Sequence, residues 1–80
     1  MINDIESVKE LERMIEVVVR AIPKEREARD LYRSTAESAT MEMTKRLFER
    51  LADQEQEHER KLMAVLDLLR QELGQLSGGG

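Results

Sequence analysis

Apolar residues recur at a helical spacing along most of this chain. They fall at Ile5, Val8, Leu11, Ile15, Val18 and Ile22, then at Ala28, Leu31 and Tyr32, the three-to-four-residue step of one helix face. The pattern predicts a first helix over 4–37, with Asn3 or Asp4 as its cap and acidic residues in its first turn facing the helix dipole. Pro23 lies inside that span, where its ring removes the bond to the Val19 carbonyl and crowds the preceding turn. Either one helix kinks there, or Pro23 opens a second helix at its first position; the kinked single helix is the expectation. The stripe lapses through ESATMEM at 37–43, where Ser38 and Thr40 are candidate caps, so a turn is expected near 38–40. A second stripe follows at Leu47/Phe48, Leu51, Glu55, His58, Leu62, Val65/Leu66, Leu69 and Leu73. It predicts a second helix over 41–73, ended by Gly74. The fold class is therefore all-α: an antiparallel two-helix hairpin over 1–76, followed by a flexible Ser-Gly-Gly-Gly tail at 77–80.

Glu55 and His58 interrupt the second stripe. At about 100° per residue, Phe48 and Leu62 flank Glu55 within roughly 20°, and Leu51 and His58 within roughly 60°. Glu25 interrupts the first stripe in the same way, with Val18 and Tyr32 within roughly 20° of it. Glu25 stands about 14 residues before the turn and Glu55 about 16 after it, which in an antiparallel hairpin brings them to nearly one height. Carboxylates at core positions cost several kcal/mol each, on the order of the effective penalty for a buried ion, unless something partners them.

Composition narrows what that partner can be. An 80-residue chain of 9.3 kDa buries too little surface to be comfortably stable alone, so oligomerisation is expected. There is no cysteine, which excludes disulfides, thiolate zinc and iron–sulfur ligation and a rubredoxin centre. The net charge of −4, with both signs evenly scattered, argues against nucleic acid and suits a cation. The longest apolar runs are triplets such as Val17-Val18-Val19, and MINDIESVKE has no basic n-region. Neither a membrane span nor a signal peptide is expected, and the chain reads as cytoplasmic.

A metal explains the misplaced polar residues. Residues at i and i+3 share a helix face, so Glu55 and His58 can aim at one ion. A four-helix di-iron carboxylate centre takes one Glu from each of two helices and a Glu-x-x-His pair from each of the other two. One hairpin supplies half of that set: Glu25, Glu55 and His58. A second copy about a two-fold axis would complete it with four glutamates and two histidines, whose four negative charges balance two ferrous ions. Glu-x-x-His alone is a weak signal among 13 glutamates; its place in the stripe, level with Glu25, is what gives it weight.

Glu25-x-x-Ala28-x-x-x-Tyr32, followed by Leu47-Phe48-x-x-Leu51-Ala52-x-x-Glu55-x-x-His58, resembles the ferritin-like and rubrerythrin superfamily. The single hairpin is similar to the encapsulated ferritins. That resemblance implies a homodimer forming a four-helix bundle with a di-iron ferroxidase centre at its interface, and further assembly into a ring such as a decamer. It implies Glu25, Glu55 and His58 as iron ligands, with Tyr32 beside the centre. It also implies iron storage or detoxification as cargo of an encapsulin nanocompartment, although no targeting peptide follows the glycine tail, and of the acidic residues that would attract iron only Glu27 is at hand.

Other readings stand beside this one. His58 could be a polar residue at a helix–helix rim, bonded to a neighbouring carboxylate. Tyr32 reads first as core packing with its hydroxyl near Glu25, and Met14, Met41, Met43 and Met63 as gap fillers. Asp53, Glu57, Glu59, Arg60 and Lys61 read as a solvated face with local ion pairs. At the level of function, the alternatives to a ferroxidase are a rubrerythrin-like di-iron peroxidase, which here would need a separate electron donor, and a non-catalytic helical dimerisation module. Iron, manganese and zinc are not distinguished by these ligands.

Overall fold

The structure, a computed structural model, describes residues 4–77. Two helices account for nearly all of it: α1 (Asp4–Ser38) and α2 (Glu42–Ser77). They lie against each other as a rod of 61 × 17 × 14 Å. At the turn the Ala39 amide donates to the Ala36 carbonyl at 3.2 Å, and the Ser38 hydroxyl donates to the Thr35 carbonyl at 3.1 Å, so side chain and backbone together satisfy carbonyls orphaned at the end of α1. The break falls one residue later than the expected 38–40.

α1 runs through Pro23 as one helix, and the division into two helices does not occur. Packing explains this. Ile22, directly before the proline, is buried against α2, and an apolar face anchored on both sides of one missing bond outweighs the local cost. The expected stop at Gly74 fails for a similar reason, since α2 continues to Ser77. A glycine ends a helix by adopting positive φ, which no described glycine does, while half-buried Leu73 and Leu76 carry the packed stripe past it. Of the anticipated tail, Ser77 is helical and 78–80 lie outside the described residues, as does the Asn3 cap.

The inner seam is thin. Val18, Ile22 and Leu66 form the buried cluster, with Ile15, Leu62 and Leu69 packed on it, and Ala36 and Ala52 are buried nearer the turn. Several residues of the predicted stripes are not covered by the partner helix: Ile5 is 69% exposed, Leu31 62% and Leu47 48%. Met14, Met41, Met43 and Met63 are all exposed, so none fills a gap within the hairpin.

Helical geometry sorts the remaining side chains onto two long faces. On α1, Glu25, Tyr32, Met14, Ala21 and Ala28 lie about 40–100° to one side of the buried line, while Arg26, Arg33 and Val19 lie to the other. On α2, Leu51, His58, Leu69, Leu47 and Val65 lie to one side of the Ala52–Leu66 line, and Gln56 and Met63 to the other. One face is thus largely apolar, interrupted by Glu25, Glu55 and His58. The other carries arginines and their partners.

Candidate metal centre

Glu25, Glu55 and His58 meet in the structure. One ligand atom from each lies within 4.8 Å of the others. The His58 Nδ1 is 3.4 Å from Glu25 Oε2 and 3.6 Å from Glu55 Oε2, distances of electrostatic contact rather than of good hydrogen bonds. The reading of His58 as a rim residue beside a carboxylate of the neighbouring helix is met by the same Glu25 contact. The two carboxylates are mostly covered, whereas the imidazole is 55% exposed on the apolar face.

The helices explain this meeting. α1 delivers Glu25 one turn after Ile22, and α2 delivers Glu55 two turns and His58 one turn before Leu62. Because Ile22 and Leu62 belong to the same packed cluster, the antiparallel register sets the polar groups at one level, as the spacing predicted.

The electrostatics of the cluster are strained at both carboxylates. Glu25 Oε2 is buried and has no hydrogen-bond partner, an expensive condition for a carboxylate oxygen. The Glu55 carboxyl is held above the ordinary carboxylate range, first because Glu25 is placed to share a proton with it, then through burial and through repulsion from the Glu25 charge; His58 acts in the opposite direction. Two carboxylates and an imidazole thus converge on one point. A cation at that point would satisfy all three, and the donor set, two oxygens and one nitrogen, suits a divalent transition metal.

Tyr32 is not part of this cluster. Its ring packs against Phe48 at 6.2 Å between centroids, tilted by 47°, and among the described residues it makes no hydrogen bond to Glu25. It lies two turns nearer the hairpin turn than Glu25.

The charge run after Glu55 divides in a way the sequence did not show. Glu57 pairs locally with Arg60 at 2.7 Å, as expected. Glu59 does not: its Oε2 accepts from Arg26 Nε at 2.8 Å and its Oε1 from Arg29 Nη1 at 3.1 Å, across the hairpin. Arg33 adds a bond to Gln56 Oε1 at 2.6 Å. A signal for Glu59 was present, since it lies seven residues after Ala52 and seven before Leu66, both buried. Positions seven apart return to the same helix-packing seam.

No helix among the described residues is long and apolar enough to cross a membrane. Over residues 16–78 the chain matches the model of the rubrerythrin family, and no curated protein or solved structure gives a match. The chain belongs to the rubrerythrin family.

Proposed function

We propose that this rubrerythrin-family chain is a ferroxidase of the encapsulated-ferritin kind, oxidising Fe(II) to Fe(III) with O2 at a di-iron centre completed by a second copy. The observation that carries the reading is the buried, unpartnered Glu25 oxygen beside Glu55 and His58. A carboxylate is left in that state at low cost only if a cation belongs there. Glu25, Glu55 and His58 would hold the metal. When bound, the irons supply one electron each, so that two of them reduce one O2, with two protons, to hydrogen peroxide.

The chain's own residues do the rest. Glu55, whose carboxyl is held above the ordinary range by Glu25 and by burial, would have to be deprotonated to hold a cation, because ligands bind metals in their deprotonated form. Glu25, whose Oε2 has no hydrogen-bond partner, would supply an anionic oxygen donor from α1. His58 supplies the neutral nitrogen donor, and Ile22 and Leu62, packed one turn away, keep water from the inner side. The exposed leucines and valines of the same face, Leu47 and Val65 among them, suit burial against a second copy, forming a four-helix bundle. A ring of such dimers, such as a decamer, inside an encapsulin shell in the cytoplasm is the assembly this reading entails.

Anaerobic Fe(II) titration of the metal-free protein, followed by native mass spectrometry, tests it. The expected result is two irons per pair of chains, followed by fast oxidation when O2 is admitted; dimers that take up no iron overturn it in favour of a helical interaction module. The family match favours one second reading, a rubrerythrin-like peroxidase. Oxidation of the bound metal by hydrogen peroxide but not by O2, with turnover dependent on an added electron donor, would establish that reading instead.

A further inference from the structure

The helix-packing seam between α1 and α2 has a polar pair where apolar side chains are due. On α1, Arg29 lies seven residues after Ile22 and seven before Ala36; on α2, Glu59 lies seven after Ala52 and seven before Leu66. All four of those flanking residues are buried. Arg29 and Glu59 are themselves only 21% and 16% exposed at the side chain, and they bond to each other at 3.1 Å. Arg26 takes the second carboxylate oxygen of Glu59 at 2.8 Å. Both oxygens are therefore engaged by α1, from two different turns.

The position of this clamp matters. Arg26 and Arg29 directly follow Glu25, by one residue and by one turn, and Glu59 directly follows His58 and lies one turn after Glu55. The same turns of both helices thus carry the carboxylate–imidazole cluster on one side and the clamp on the other. Apolar contacts at this level are poor at holding register. The buried cluster of Val18, Ile22 and Leu66 lies to one side of it, and toward the turn the buried residues are two alanines, which resist sliding weakly. A polar pair set in an apolar seam is the best-attested device for fixing axial register, because any other register leaves it unpaired.

We propose that Glu59, gripped by Arg26 and Arg29, is a positioning residue for the metal half-site: it fixes α1 against α2 so that Glu25 meets Glu55 and His58. It acts through the helices and touches no metal. It also occupies two guanidinium groups that, released, could fold over Glu25 or Glu55 and compete with a cation. This inference rests on the metal-binding reading above and adds to it a residue outside the ligand set.

Co(II) titration read by its visible d–d absorption tests the idea in wild type, Glu59→Gln, Arg26→Gln and Glu57→Gln. Glu57 is the control, an equally charged neighbour that pairs only within α2. Loss of Glu59 is expected to weaken Co(II) binding at least tenfold, on the scale seen for residues that orient ligands, and to shift the d–d bands, since the ligand geometry itself changes. Arg26→Gln, which removes one arm of the clamp from a half-exposed position, should retain the fold and show a smaller loss with the same direction of band shift. Glu57→Gln should stay within about twofold of wild type. Equal weakening by Glu57→Gln would reduce the effect to net charge and overturn the proposal. So would Glu59→Gln and Arg26→Gln variants that bind Co(II) as wild type does, with unshifted bands, even if they melt earlier. A wild-type chain that takes up no Co(II) would instead overturn the metal site, and this inference with it.

Discussion

The two long faces of the hairpin treat their polar groups in opposite ways. On the arginine face every polar group at the middle level is answered within the chain: Glu59 by Arg26 and Arg29, Gln56 by Arg33. On the apolar face, at the same level, Glu25, Glu55 and His58 converge at the looser distances of electrostatic contact, and one carboxylate oxygen is buried with no hydrogen-bond partner. The first face is complete in one copy of the chain. The second leaves a buried carboxylate oxygen without a hydrogen-bond partner, and the contrast separates a charged group that holds the fold from one that the fold leaves unsatisfied.

Removing a ligand should produce the largest effect. Glu25→Ala or Glu55→Ala is expected to abolish fast Fe(II) oxidation, by stopped-flow absorbance, while circular dichroism shows the helices retained. An unchanged rate in both variants would rule out the site. Next in size is a charge on the open face. Leu47→Lys or Val65→Lys should dissociate the pair of chains in sedimentation velocity, since each would bury an uncompensated ammonium, whereas Arg33→Glu on the other face should leave the pair intact. Equal disruption by all three would show that the faces do not differ in assembly.

The pH dependence of the metal-free protein gives a smaller effect. Glu55 holds its proton more tightly when folded than the ordinary value of 4.5 allows. A folded state that binds more protons than the unfolded one loses stability as pH rises. Its contribution is therefore whole below the ordinary carboxylate range and declines as pH climbs from 4.5 through the raised value. Comparing denaturant midpoints of wild type and Glu55→Gln across that window should show the wild-type midpoint falling relative to that of the variant, and a parallel pair of curves would refute it. The smallest effect belongs to Arg33→Ala, where losing one exposed hydrogen bond should lower stability by at most about 1 kcal/mol, with iron uptake unaltered.

Much of this was legible in the sequence because helix geometry is regular. The spacing between Glu25 and Glu55, counted through a short turn, placed them at one height, and the i, i+3 step of Glu55 and His58 put both on a shared side. What escaped was of two kinds. Gly74 is a local signal, and local signals yield when apolar residues on both sides are packed, as Leu73 and Leu76 are. Glu59 escaped because it sits in a run of charges, where a residue bonded across the hairpin and one facing solvent look alike until the partner helix is in place. Its seven-residue relation to Ala52 and Leu66 distinguishes it from Glu57.

The rod-like outline has a consequence for how assembly should be watched. A body 61 Å long and 17 Å wide owes its radius of gyration almost wholly to its length. A second rod laid along the apolar side adds thickness and leaves the length unchanged, so in small-angle scattering the overall radius would barely move while the cross-sectional radius and the forward intensity rise. An end-to-end association would do the reverse. The cross-section of the scattering particle, followed as metal is added, therefore reports whether a neighbour lies alongside the hairpin or at its end.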